Sequence, residues 1–162
     1  IKRVEEIATK NKCSSIKTSK SDEERLKFWT GRKAAFPACA ELAPDYMCMD
    51  GSIPRGKLAE VLKEIQKLSV KYGLPVANAF HAGDGNLHPL IMFNANDPEQ
   101  LRKTEEFGAE ILKYCVKVGG ALTGEHGVGI EKRELMCEAF NDTDIQQQLK
   151  IKIELMDKAS ND

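Results

Sequence analysis

The 162-residue sequence lacks any long apolar segment and any excess of charge of one sign. Its longest apolar stretches have the length of strands, well short of the roughly 18 residues that a membrane-spanning helix requires. The 24 basic and 25 acidic residues give a formal net charge of −1, which offers no electrostatic basis for binding nucleic acid or an anionic membrane surface. The length and the 41% hydrophobic content are typical of one globular domain.

The sequence also lacks a pair of cysteines at the two-residue spacing of a zinc finger or a redox dithiol. Its cysteines are odd in number and widely spaced: Cys13, Cys39, Cys48, Cys115 and Cys137. This pattern favours a reducing compartment, in which Cys39 and Cys48 would pair only if the fold brought them together. The chain begins at Ile1 and shows no secretory signal, and we interpret it as a segment of a longer protein.

Hydrophobic periodicity and turn residues predict an alternation of helices and strands. A short helix is expected near the start of the chain. Further predicted helices cover 21–36, 56–72, 97–118 and 143–156, and the predicted strands cover 46–50, 76–82, 87–93 and 121–123. Strands joined as hairpins, with helices between them, predict an α+β domain with a mainly antiparallel sheet and helices packed on one face.

The three histidines of the chain all lie in two glycine-rich motifs, HAGDGNLH at 81–88 and GEHG at 124–127. Within the first motif, Asp84-Gly85 is typical of a two-residue type I′ hairpin turn. That turn would place His81 directly opposite His88, with Cβ atoms about 4.5–5.5 Å apart, so that both imidazoles could bind one cation. Alternatively, the motif is only a tight turn and its histidines are ordinary polar residues.

The second motif adds a carboxylate and an imidazole on a flexible glycine-rich loop. Two histidines and one carboxylate with open positions form a known type of catalytic site for Zn, Fe or Mn. Glu125 could therefore complete a metal site while His126 acts as a general base beside it. Lys132 and Arg133, a few residues further on, could hold an anion. The alternative is a glycine-rich connector with an exposed ion pair.

These motifs resemble the C-terminal domain of FAD-linked oxidases, in the branch that includes the glycolate oxidase D subunit and the D-lactate dehydrogenases. Supporting similarity lies at WTGRKAAF (29–36), MDGSIPR (49–55) and YGL (72–74), and the resemblance covers roughly residues 20–140. It implies a ferredoxin-like α+β cap that covers the flavin of a separate N-terminal FAD-binding domain. We therefore interpret residues 1–162 as the substrate and metal domain and expect this chain alone to be inactive.

The resemblance also implies a role for individual residues. A divalent metal (Zn, Mn or Fe) would be bound by three of them: His81, His88 and Glu125. His126 would be the catalytic base that acts on the substrate hydroxyl or α-carbon. Asn86 would contact the substrate, and Arg32 would pair with its carboxylate, for which a guanidinium is well shaped.

The sequence thus predicts the substrate- and metal-binding part of a flavin-dependent 2-hydroxy-acid oxidoreductase, which converts glycolate or D-lactate to the 2-oxo acid and passes electrons to FAD. Its expected partners are the small hydroxy acid, an FAD-binding domain in the same or a companion chain, and a second copy of itself. We expect a cytoplasmic location, with the inner membrane surface or an organelle as alternatives. Two other functions stay open: a free-standing metallohydrolase with the same ligands, and a non-catalytic remnant of the fold.

Overall fold

Two units make up the chain, one over Ile1–Ala38 and one that begins at Cys39. The computed structural model describes the backbone of residues 1–159 and the side chains of residues 1–156. The first unit consists of three helices: α1 (Lys2–Lys10), α2 (Asp22–Lys33) and α3 (Ala35–Ala38). Ser21, the first residue of the helix predicted over 21–36, caps α2, and its hydroxyl accepts a hydrogen bond of 3.2 Å from the Glu24 N–H.

The second unit is a mixed arrangement of strands and helices. Along the chain it contains β1 (Asp45–Cys48), β2 (Gly51–Ser52), α4 (Leu58–Tyr72), β3 (Val76–His81), β4 (Asn86–Phe93), α5 (Pro98–Lys117), α6 (Met136–Ala139) and α7 (Asp142–Ala159). Among the described residues, every helix falls short of the length or the apolar character that a membrane-crossing helix requires. The five cysteines, all in the described part of the chain, form no disulfide.

Strand β4 is the centre of the sheet, and all its pairings are antiparallel. β3 follows one edge of β4, while β1 and β2 follow the other edge in one continuous register, with Cys48 opposite Leu90 and Gly51 opposite Leu87. Between β1 and β2, the Met49 N–H still donates to the Pro89 carbonyl at 2.9 Å. Successive residues along each strand therefore face opposite sides of the sheet.

One side of the sheet is apolar and is covered by the two long helices α4 and α5. The buried core on this side combines alternate residues of β4 with one stripe from each helix: Leu87, Ile91, Phe93, Val61, Ile65, Leu68, Phe107, Ile111, Leu112 and Cys115. Gly51 of β2 lies against α5, since an added Cβ atom would come within 3.0 Å of Leu112. The structure confirms the predicted α+β architecture, with an antiparallel sheet and helices packed on it.

The β3–β4 hairpin has a different register from the predicted one. His81 pairs with Asn86, and His88 pairs with Ala79, so the two histidines lie diagonally on one face and not directly opposite each other. A type I′ turn needs positive φ at both central residues. Gly85 has φ +76°, but Lys12 is the only residue other than glycine with positive φ in the described backbone. The connection is consequently a four-residue loop over 82–85.

Candidate active site

His81 and His88 meet on the side of the sheet away from α4 and α5. Their ring centroids lie 5.4 Å apart, with the ring planes at 84°. The His88 side chain is only 6% exposed because it lies in the central strand, whereas that of His81, at the end of β3, is 45% exposed. The hairpin therefore supplies one rigidly held imidazole and one accessible imidazole.

Glu125 brings a carboxylate against these two rings. Its Oε1 atom lies 3.0 Å from Nε2 of His88 and 3.9 Å from Nε2 of His81. The same oxygen lies 3.7 Å from Nε2 of His126. One ligand atom each from His81, His88 and Glu125 can be chosen so that all lie within 4.8 Å of one another. Two imidazoles and a carboxylate with an open side fit a catalytic divalent cation.

The segment that carries Glu125 is a loop and not the strand predicted over 121–123. Only Ala121 joins the sheet, through an isolated antiparallel bridge to Ser52. A built Cβ atom on Gly120 would overlap the Ser52 carbonyl, so the two backbones approach very closely at this point. After this bridge the loop has no ladder partner, and a side chain must satisfy its N–H groups.

Asp50, for which the sequence predicted no role, accepts the hydrogen bonds of these loop N–H groups. This residue lies between β1 and β2 and is fully buried. Its carboxylate accepts a hydrogen bond from the Thr123 hydroxyl. It also accepts hydrogen bonds of 3.0–3.2 Å from three successive N–H groups, those of Gly124, Glu125 and His126. A single carboxylate thus orients both the proposed metal ligand and the proposed base.

Lys132 compensates the buried charge of Asp50. Its Nζ atom donates to the Asp50 carbonyl at 2.6 Å and lies 3.4 Å from Oδ2 of the same residue. Burial by itself raises the pKa of Asp50, but the hydrogen bonds from Thr123 and the loop N–H groups, and the charge of Lys132, lower that pKa well below its ordinary value. The prediction that Lys132 could hold an anion is therefore wrong, because its ammonium is buried against Asp50.

Asn86 carries an unsatisfied polar atom at the edge of this cluster. Its Oδ1 atom is buried and, among the described side chains, has no hydrogen-bond partner. Gly124 approaches so closely that a Cβ atom placed on it would overlap the Asn86 carboxamide. A buried carbonyl without a partner costs about 1–3 kcal/mol, so a polar ligand or a cation at this position would relieve an existing penalty. The donor set and this unpaired oxygen both fit a metal and substrate site.

Cys48 lies on the opposite side of the His88 ring and was not singled out from the sequence as a site residue. Its Sγ atom is 3.9 Å from Nδ1 of His88. Burial, followed by the negative charge of Asp50, raises the pKa of Cys48 to about 11, so the thiol is neutral near pH 7. The His126 ring also lies beside His88, with centroids 5.1 Å apart and planes at 23°.

Five of the six predicted site residues are therefore neighbours in the second unit: His81, Asn86, His88, Glu125 and His126. The sixth, Arg32, is an exposed residue of α2 in the first unit, and its contact with a substrate carboxylate stays a prediction. The signal for Asp50 was an acidic residue inside the otherwise apolar stretch from Tyr46 to Gly51, but nothing local shows which loop it binds.

The described residues form an α+β domain with an antiparallel sheet, helices on one side of it, and on the other side a histidine–carboxylate cluster that could hold a metal ion. Comparison with known proteins gives the particular family. The residue profile described as "FAD linked oxidases, C-terminal domain" matches residues 1–156, and the chain belongs to this family. The resemblance noted from the two histidine motifs is confirmed.

Individual relatives agree with this assignment. The chain is 51% identical over 143 residues to the "Glycolate oxidase subunit GlcD" of Escherichia coli (strain K12), a match that covers 88% of this chain and 29% of that protein. It is 33% identical over 129 residues to the Bacillus subtilis GlcD subunit, covering 80% of this chain and 27% of that protein. It is 32% identical over 151 residues to "D-lactate dehydrogenase [cytochrome], mitochondrial" of Arabidopsis thaliana, covering 92% of this chain and 27% of that protein. The chain thus spans less than a third of the length of these relatives.

Proposed function

We propose that this chain is the substrate- and metal-binding part of an FAD-dependent dehydrogenase that oxidises a small 2-hydroxy acid, glycolate or D-lactate, to the 2-oxo acid. Relatives named glycolate oxidase subunit and D-lactate dehydrogenase support the substrate class. The observation that carries the proposal is the Glu125 carboxylate, which faces His81 and His88 with His126 beside it. The reaction removes the hydroxyl proton and a hydride from the same substrate carbinol group.

In this proposal, His81, His88 and Glu125 hold a divalent cation, Zn, Mn or Fe. When bound, such a cation would act as a Lewis acid on the substrate hydroxyl and make its proton easier to remove. The protein contributes the fixed geometry: His88 is held by the central strand, and Glu125 is held through the hydrogen bond from its N–H to Asp50. The half-exposed carboxylate of Glu125 leaves a side of the cluster open to substrate.

His126 takes the proton. Its imidazole is half exposed and lies beside Glu125, while its backbone N–H is fixed by Asp50 at 3.0 Å. The ring can therefore reach a substrate hydroxyl at the open side of the cluster and accept its proton at a ring nitrogen. FAD, when bound by a separate domain, would supply the acceptor for the substrate hydride, and that chemistry belongs to the cofactor.

Asn86 and Arg32 complete the proposed substrate contacts. The Asn86 carboxamide, whose carbonyl oxygen is buried and unpaired, would contact the bound substrate or its cation. The Arg32 guanidinium would form paired hydrogen bonds with the substrate carboxylate. We further propose that residues 1–162 act as a cap over the FAD domain of the same or a companion chain, in the cytoplasm and as a homo-oligomer. The plant and yeast relatives are named as mitochondrial, which favours an organelle in a eukaryote.

Metal content is the direct test. The purified chain should carry or take up close to one divalent cation, measured by elemental analysis and by titration with Mn²⁺. We expect Glu125→Gln and His88→Gln to weaken binding by at least about tenfold. Glu134→Gln removes an equal charge from an exposed position and should leave binding unchanged. Equal metal content in Glu125→Gln and Glu134→Gln would contradict the proposed site.

A measurement of turnover distinguishes the proposed dehydrogenase from the alternative metallohydrolase. In the complete flavoprotein, glycolate or D-lactate should reduce the flavin, and His126→Gln should slow reduction by about 10²–10⁴-fold, as expected for loss of a general base. Substrate affinity should change far less than the rate of flavin reduction. Metal-dependent hydrolysis by this chain with no flavin present would instead favour the metallohydrolase.

A further inference from the structure

The imidazole of His88 presents its two nitrogens to two different sets of donor atoms. Nε2 faces the Glu125 carboxylate at 3.0 Å. Nδ1 faces Cys48 on the other side of the ring, with the sulfur at 3.9 Å. A ligand atom from each of Cys48, His88 and His126 can be chosen so that all three lie within 4.8 Å of one another. The same histidine therefore belongs to a second cluster with a thiol in place of the carboxylate.

The two clusters differ in chemical softness. Carboxylate oxygen and imidazole suit harder cations such as Mn²⁺, whereas a cysteine sulfur with two imidazoles suits thiophilic cations such as Zn²⁺ and Cd²⁺. Tetrahedral zinc with Zn–S near 2.3 Å and Zn–N near 2.05 Å places sulfur and nitrogen about 3.6 Å apart. The distance from Cys48 Sγ to His88 Nδ1 is only slightly longer, at 3.9 Å. A small side-chain movement would therefore bring these two atoms to the separation that a tetrahedral zinc ion requires.

The scaffold around the second cluster is already formed. Cys48 and His88 lie on adjacent paired strands, since Cys48 is opposite Leu90, two residues from His88. They consequently share one face of the sheet, and backbone pairing fixes their separation. His126 comes from the loop that Asp50 anchors, and its side chain is half exposed. A cation can thus enter from the side of His126 and reach the less accessible sulfur.

We propose that Cys48, His88 and His126 form a binding site for thiophilic divalent cations, distinct from the cluster of His81, His88 and Glu125 and sharing His88 with it. As the sulfur–metal bond forms, the thiol S–H bond breaks and its proton passes to the solvent, with no change in oxidation state. A cation in this site engages His126 and His88 together. If the proposed function holds, such a cation inhibits the enzyme, because it occupies His126, the proposed base.

Cadmium alone is a suitable probe, because a cadmium–thiolate bond gives an ultraviolet charge-transfer absorption that oxygen and nitrogen ligands do not. Titration of the full chain with Cd²⁺ should produce this absorption with saturation at one equivalent. Cys48→Ser should weaken binding by at least about tenfold. Cys137→Ser, which removes an exposed thiol, should leave the tight phase unchanged. A saturating tight phase that persists in Cys48→Ser, or its absence from the unmodified chain, would overturn the proposal.

Two further variants distinguish this site from the proposed metal site. His126→Gln should weaken Cd²⁺ binding but not Mn²⁺ binding, and Glu125→Gln should do the reverse, with Mn²⁺ followed by electron paramagnetic resonance. Retained Mn²⁺ binding in Cys48→Ser would also show that this variant is folded. Equal losses of Cd²⁺ and Mn²⁺ in Glu125→Gln would overturn the second site. If Mn²⁺ fails to bind while Cd²⁺ binds through Cys48, the proposed function falls and the thiophilic site stands.

Discussion

The hairpin and the loop hold the two halves of the candidate site by different means. His81 and His88 belong to strands whose backbones pair at six positions, from Val76 opposite Ile91 to His81 opposite Asn86. The loop that carries Glu125 and His126 has one isolated bridge to the sheet, at Ala121. Beyond that bridge, the N–H groups of 124–126 donate to the side chain of Asp50.

Many backbone hydrogen bonds support the hairpin, whereas a single side chain supports most of the loop. A strand ladder is made by backbone groups, so one substitution removes little of it. The loop depends on one carboxylate, which in turn depends on Lys132 for its counter-charge. A buried ion pair adds little net stability compared with an apolar pair, but removing one partner leaves an uncompensated charge that is strongly destabilising. We therefore expect the loop half of the site to be more sensitive to single changes than the hairpin half.

The largest effect is expected for Asp50→Ala. It removes the acceptor of three loop N–H groups and leaves the buried Lys132 ammonium without a counter-charge. Chemical denaturation should show a loss of about 3–5 kcal/mol in the free energy of unfolding, together with loss of Mn²⁺ binding. Asp84→Ala, in the exposed hairpin loop, should stay within about 0.5 kcal/mol of the unmodified chain. Similar losses of unfolding free energy in Asp50→Ala and Asp84→Ala would contradict the expected difference between the loop and the hairpin.

Lys132→Met tests the counter-charge alone. Asp50 keeps the Thr123 hydroxyl and its loop N–H donors in this variant, so its carboxylate stays hydrogen-bonded. We expect a smaller loss of unfolding free energy than for Asp50→Ala, about 2–3 kcal/mol. Asp50→Ala combined with Lys132→Met should be more stable than Asp50→Ala alone, because no charge is left unpaired. A double variant whose loss equals the sum of the two single losses would contradict this coupling.

Gly124→Ala tests how closely the loop must approach the hairpin. The added methyl group would overlap the Asn86 carboxamide, so the loop must move outwards. We expect a loss of about 1–3 kcal/mol in stability and weaker Mn²⁺ binding, because Glu125 moves away from His88. Gly83→Ala is a matched control, since an added Cβ atom there meets no atom within 4 Å. Unchanged metal affinity in Gly124→Ala would show that the close approach is unnecessary.

The smallest effect is expected from mild acid. Because the folded structure lowers the pKa of Asp50, the stability it contributes is fully present above the unfolded value of about 3.9 and is lost as the pH falls towards the lower folded value. Between about pH 5 and pH 3, this one group should account for a loss of about 1 kcal/mol. Denaturation at both pH values should show a smaller decrease for Asp50→Asn than for the unmodified chain. An equal decrease would mean that Asp50 does not contribute to the acid sensitivity.

Local sequence signals predicted the helices of the second unit closely. The helix predicted over 56–72 is α4 at Leu58–Tyr72, and its spacing of three and four reflects the face buried on the sheet. The helix predicted over 97–118 is α5, and Asp97 caps it, with its Oδ1 atom accepting hydrogen bonds from the N–H groups of Glu99 and Gln100 at 3.0 and 3.3 Å. These features depend on residues a few positions apart and can be inferred without knowing the fold.

The hairpin register could not be inferred in this way. Asp84-Gly85 has the composition of a two-residue turn, but the loop makes a contact outside the hairpin that favours a different connection. The Ile53 N–H donates to the Gly85 carbonyl at 2.9 Å, and a Cβ atom on Gly85 would overlap the Ile53 carbonyl. A segment that is distant in sequence but adjacent in space therefore helps to determine the turn. As a result, His81 lies diagonal to His88 and not directly opposite it, as the two-residue turn predicted.

The donor chemistry, the family and the positions of the main helices follow from the amino-acid sequence, because motifs, caps and hydrophobic spacing are short-range patterns. Which atoms face each other depends on the tertiary structure. Lys132 and Asp50 are 82 residues apart in sequence, and His126 and Asp50 are 76 residues apart. Their contact exists because β2 pairs with β4 and the chain returns to β2 at Ala121. The return of the loop to β2 places Glu125 at one nitrogen of His88, and the pairing of β1 with β4 places Cys48 at the other. Residue types and spacing alone do not specify this arrangement.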